Sequence, residues 1–114
     1  MGIFIKNTTV GRTVIVGYKP KPGKETALRE LMKTHLPILM QEGLVRNKES
    51  YIMEAADGTI IEVFEWLSEE AIQNAHSNPA VLAMWGKYAE VCDYVPVGNV
   101  AEIDVLFSGF KPLN

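Results

Sequence analysis

Two histidines, one strand glutamate and a set of aromatic residues are the side chains in this sequence with chemistry to offer. His76 ends the helical run that begins after Ser68, where the negative end of a helix favours an imidazolium. It can satisfy loose carbonyls there, or act as a proton donor, a base or an axial metal ligand. Glu62 stands between apolar neighbours on a central strand, in the run Thr59 to Trp66. Burial disfavours a bare carboxylate charge, so a glutamate in that position either finds a polar partner or serves as a general base. His35 falls on the apolar stripe of the first helix beside Pro37. It can bond a carbonyl freed by the proline or line a cleft between helix and sheet.

Tyr51, Phe64, Trp66, Trp85 and Tyr88 are the candidates for a ring-binding wall. Aromatic side chains also simply fill cores. Phe64 is read as core. Tyr51, Trp66 and Trp85 are read as substrate-binding candidates, since an aromatic wall with a few polar groups is the usual form of a small-molecule site. Several other chemistries lack their motifs. There is no Gly-rich phosphate loop, no H-E-x-x-H and no G-x-S-x-G. Two widely separated histidines do not make a metal site by spacing. The one cysteine, Cys92, is placed on a helical apolar stripe and reads as buried and inert.

The elements that must position these residues follow from pattern. Thr13 to Tyr18 is a β-branched run and the first strand. From Lys24 to Gln41, Leu28, Leu31, Met32, His35, Leu36 and Leu39 recur at helical spacing. Pro37 should kink that helix near Lys33, and Gly43 should close it. Val45 to Ala56 reads as a polar second strand. Asp57-Gly58 then signals a two-residue type I′ hairpin. That turn would set Tyr51 opposite Phe64 and Met53 opposite Glu62. Ser68 caps the next helix, and Asn78-Pro79 starts another that carries Val81, Leu82, Trp85, Tyr88, Ala89 and Cys92. Val100 to Phe107 reads as the last strand and the Pro112 tail as irregular. Ile3 to Lys6 is a short strand or arm.

The order β-α-β-β-α-β is the ferredoxin-like arrangement, an α+β fold with the first and third strands central. The 114 residues suit a single domain. Both faces of the predicted hairpin carry large apolar side chains, so each face needs a cover. Helices cover one, and a second subunit is the economical cover for the other. A net charge of −3 argues against a nucleic-acid backbone as main partner. The chain has no run long enough to cross a bilayer and no signal-peptide layout at its start, so a cytoplasmic location is expected.

Three stretches resemble the antibiotic biosynthesis monooxygenase-type domains of the dimeric α/β-barrel superfamily. They are THLPILMQEGLVRNKESY, EVFEWLSEEA and AHSNPAVLAMW. The resemblance implies a homodimer whose two sheets form a barrel, with a pocket in each subunit between helices and sheet. Some members of that family oxidise polycyclic phenols with molecular oxygen and without flavin, haem or metal. The protein then supplies a base, a dry cavity and orientation. His76, Glu62 and His35 are the groups here that fit those catalytic roles, the substrate being a small aromatic or polyketide-like compound. An isomerase or cyclase using the same acid and base, or a non-catalytic ligand-binding dimer, fits the same scaffold. Haem-degrading relatives use a Trp and a His where this chain has Ala75 and Trp85, so haem degradation is not expected.

Overall fold

The computed structural model describes residues 10–114; the expected arm at Ile3 to Lys6 lies outside the described residues. The chain forms β1 (Arg12–Pro20), α1 (Glu25–Gln41), β2 (Tyr51–Glu54), β3 (Ile60–Trp66), α2 (Glu69–Ala75), α3 (Pro79–Val91), β4 (Cys92–Val95) and β5 (Lys111–Pro112). The sheet is antiparallel in the order β4-β1-β3-β2-β5. Its first four strands have the ferredoxin-like order, with β1 and β3 central as the pattern predicts.

The helices start and stop where their capping residues dictate. Gly43 sits at φ +72°, and the Leu44 and Gly43 amides return to the Leu39 and Met40 carbonyls. That paired closure is the Schellman motif, and it needs a residue that tolerates positive φ. The Ser68 side chain accepts from the Ala71 amide, and the Asn78 side chain accepts from the Val81 amide with Pro79 in the first turn. Two capped starts so close together give α2 and α3 instead of one straight helix.

The hairpin differs from expectation by one residue. Ala55 and Thr59 close a three-residue loop, Ala56-Asp57-Gly58, with bonds from the Gly58 amide to the Ala55 carbonyl and from the Ala55 amide to the Thr59 carbonyl. Only Gly58 has positive φ, at +91°, so a type I′ turn, which needs two such residues, does not form. Asp57 Oδ1 accepts from the Thr59 amide, and these bonds hold its carboxyl below the usual range. The pairing becomes Tyr51↔Val63 and Ile52↔Glu62. Because side chains alternate along a strand, this slip moves Tyr51 to the opposite face and brings Ile52 in its place.

Two further strand assignments are corrected. The second strand is confined to Tyr51–Glu54, with Val45 reaching β3 only through a single bridge to Trp66. Val100 to Phe107 is not a strand. It lies in and after two 3₁₀ turns, Val97–Asn99 and Ala101–Asp104. The edge it was expected to fill is taken by β4, which leaves α3 without a loop and pairs with β1 from Gly17 to Pro20. Gly17 permits that pairing, since a Cβ there would sit 2.5 Å from the Val95 carbonyl oxygen. Cys92 is buried as expected, but it begins β4 and is not on the helix. Burial pushes its thiol up to about 11. The tail is ordered too, as β5 extends β2 at the sheet edge.

One face of the sheet, bearing Tyr18, Ile60, Phe64 and Trp66, packs on Leu28, Met32, Leu39, Val81, Met84 and Tyr88 of the helices. The other face is only partly covered. At one end Val100, Val97 and Phe110 of the C-terminal segment pack on Ile61, Ala55 and Met53. At the other end Ile15 and Tyr51 stand 54% and 62% exposed. Among the described residues no helix is long and apolar enough to cross a membrane.

Candidate functional site

Period-2 alternation on β1 aims Val14, Val16 and Tyr18 at the helices, opposite Phe64, Glu62 and Ile60 of β3. Two of these polar groups meet a third from α1. Tyr18 Oη donates to Glu62 Oε1 at 2.7 Å, and His35 Nδ1 lies 3.0 Å from Oε1 and 3.2 Å from Oε2. Glu62 is wholly buried and His35 nearly so. A fourth group sets the direction of the chain. The Trp85 indole N–H can only donate, and it points at His35 Nε2 from 3.0 Å. His35 must therefore accept at Nε2 and carry its proton on Nδ1, which donates to Glu62. The carboxylate thus receives two hydrogen bonds from neutral groups.

Aromatic edges fix the His35 ring in place. Phe64 and Tyr88 meet it in T-shaped contacts at 5.6 and 5.5 Å. The Tyr88 hydroxyl is itself engaged, donating to the Leu31 carbonyl at 2.6 Å. Burial holds the Tyr18 phenol far above its ordinary range, and the charge and hydrogen bond of Glu62 add to the effect. Burial likewise raises Tyr88. Among the described residues, every buried side-chain polar atom has a partner. This core network is complete without a ligand.

Above the network lies an open cavity of about 400 Å³. Val14, Val16, Phe64 and Ile72 give it an apolar lining, and Trp66 and Trp85 supply two indole faces. Tyr18 and His35 form its polar floor, while His76 and Tyr94 stand exposed at its edge. His76 is fixed from two sides. Its Nδ1 donates to the Ile72 carbonyl at 2.7 Å, and its ring meets that of Trp85 at 5.3 Å. With Nδ1 so used, a neutral His76 offers the Nε2 lone pair. Tyr94 leans on the Tyr18 ring at 5.5 Å, and its phenol is pushed up to about 12, chiefly by burial and then by the charges of Cys92 and Glu62.

Of the residues singled out from sequence, His35, His76, Trp66 and Trp85 line this one cavity. Glu62 is brought to the same place but lies behind the lining, bonded to Tyr18 and His35. It holds Tyr18 and His35 in place and does not itself face the cavity. Tyr51 is not in the site, for the register reason given above. Sequence reasoning missed Tyr18 and Tyr94. Tyr18 had a signal, since it continues the alternation of Val14 and Val16 on a central strand. Tyr94 had none, because its strand follows a helix directly with no proline or glycine between them. Among the described residues no three His, Cys, Asp or Glu side chains converge to hold a metal ion.

No family model and no curated protein matches the chain. Solved structures do. Rv0793 from Mycobacterium tuberculosis is similar at a TM-score of 0.61 and 22% identity, over 75% of this chain and 88% of that one. NE2512 from Nitrosomonas europaea, a protein of unknown function, is similar at a TM-score of 0.57 and 18% identity, over 78% and 84% of the two chains. At these identities the likeness concerns the fold.

Proposed function

We propose that this protein is a small homodimeric enzyme that takes a flat aromatic or polyketide-like compound into the cavity and oxidises it with molecular oxygen. The observation that carries the reading is His76, a base with a free Nε2 at the edge of an apolar, aromatic-walled cavity. Its position is fixed by the Ile72 carbonyl and the Trp85 ring. A cavity of this size suits a two- or three-ring compound.

In this reading His76 removes a proton from an activated carbon acid, and the carbanion reacts with oxygen. For a CH₂ group activated by a carbonyl and aromatic rings, two C–H bonds break and a C=O bond forms. One oxygen atom stays in the product and the other leaves as water. The substrate carbon supplies all the electrons, so the balance needs no outside reductant. The protein contributes proton abstraction and orientation.

The chemistry is tested with anthrone, a three-ring ketone with one acidic CH₂ group. Catalysed oxygen uptake with formation of anthraquinone is the expected result. Exchange of the CH₂ protons with solvent under anaerobic conditions, with no catalysed uptake in air, would assign the protein to proton transfer instead. Neither exchange nor uptake would contradict both.

The dimer is supported by the bare end of the sheet, where Ile15 and Tyr51 flank Val63, and by Leu106 and Phe107, 90% and 87% exposed. Apolar side chains this exposed mark an interaction surface when they cluster. A second copy packing sheet to sheet would form the α/β barrel. Sedimentation velocity should give twice the 12.7 kDa chain mass, and a monomer at micromolar concentration would contradict the assembly.

A further inference from the structure

Three of the polar groups around the cavity are engaged in one buried network. Tyr18 and His35 donate inward to Glu62, and Trp85 donates to His35. None of these donors faces a ligand without breaking a buried bond, and an unmade buried bond is costly. Two lining groups differ. His76 Nε2 has no partner among the described residues, and neither has the Tyr94 hydroxyl.

From this we infer that Tyr94 is the hydrogen-bond donor to the ligand, and that the ligand is a flat apolar compound with one acidic C–H for His76 and one carbonyl or enol oxygen for Tyr94. The inference rests on the reading of His76 as the base. Sugars, phosphates and polyols present more polar atoms than two contacts can satisfy, and stripping water from them without replacement is unfavourable.

Tyr94 suits this role by its chemistry and by its place. Its phenol stays protonated across the neutral range, so it donates whenever the ligand binds. As the carbon acid loses its proton, negative charge moves to the conjugated oxygen. A hydrogen-bond donor at that oxygen bonds the enolate more strongly than the ketone, which lowers the barrier. The position of Tyr94 depends on β4. Gly17 lets that strand close on β1, and the register Tyr18↔Tyr94 sets the two tyrosines side by side on the cavity face.

The test compares anthrone with 9,10-dihydroanthracene, which keeps the three-ring frame and lacks the oxygen. Tryptophan fluorescence reports binding, since both indoles line the cavity. Tyr94→Phe should weaken anthrone binding about tenfold, as expected for one lost hydrogen bond, and leave dihydroanthracene unchanged. It should also slow anaerobic exchange of the anthrone CH₂ protons by more than it weakens binding. Equal weakening for both compounds would make Tyr94 a wall and overturn the inference. So would no effect on either, or failure of wild-type protein to bind anthrone. Selective loss of anthrone binding in Tyr94→Phe, together with normal proton exchange in His76→Ala, would uphold the Tyr94 contact while removing His76 as base.

Discussion

Replacing His76 with alanine is expected to lower the rate of proton abstraction from anthrone by a factor of about 10²–10⁴, the usual contribution of a positioned general base. The fold should survive the change. His76 is exposed, its side chain bonds only the Ile72 carbonyl, and its backbone cap of α2 is retained in any residue. Loss of rate with an unchanged melting curve would separate chemistry from stability. Imidazole added to the buffer should restore part of the rate, because the truncation leaves space beside Trp85. Full activity in His76→Ala would remove the base from the mechanism. His35→Ala should behave differently. His35 is buried and joins Trp85 to Glu62, so its loss should reduce stability and rate together.

Glu62→Ala should produce the largest loss of stability among single changes at the site. The substitution leaves the Tyr18 hydroxyl and the His35 Nδ1–H without an acceptor in a fully buried setting. Each unsatisfied group costs about 1–3 kcal/mol, and the missing side chain leaves a void as well. The expected destabilisation is about 3–5 kcal/mol, read from urea or thermal unfolding. Glu62→Gln should cost less, because the amide oxygen still accepts one bond while its NH₂ faces the other donor. Wild-type stability in Glu62→Ala would mean that the Tyr18–Glu62–His35 cluster is not formed in solution. The two variants together distinguish a residue that touches the ligand from one that holds the lining in place.

The helices and their ends were legible in the chain because each boundary is a local event. Ser68, Asn78-Pro79 and Gly43 satisfy or permit specific backbone groups within a few residues. Those boundaries place His35, His76 and Trp85 on their helices, but their meeting at one cavity is a matter of how the helices pack on the sheet, which no local signal encodes. The sheet was less legible because pairing is not local. Asp57-Gly58 allows two turns, and the choice between them decides which face Tyr51 occupies. The apolar run from Val100 to Phe107 has the composition of a strand, yet β4 already fills the edge of β1, and only Val100 is buried. Tyr94 could not be placed without knowing that exchange. Glu62 shows the limit of reading chemistry from burial. Its position was predictable, but its partners were not, and they put it behind the cavity wall.

Side-chain ¹⁵N spectroscopy tests most directly whether this cavity binds the ligand. The chain has two tryptophans and two histidines, and all four line the cavity. Addition of anthrone should shift both indole Nε1–H signals and the His76 ring nitrogens. The His35 signals should keep the pattern of a neutral ring protonated at Nδ1. Saturable binding of anthrone that leaves all four side chains unmoved would place the ligand elsewhere and contradict the account.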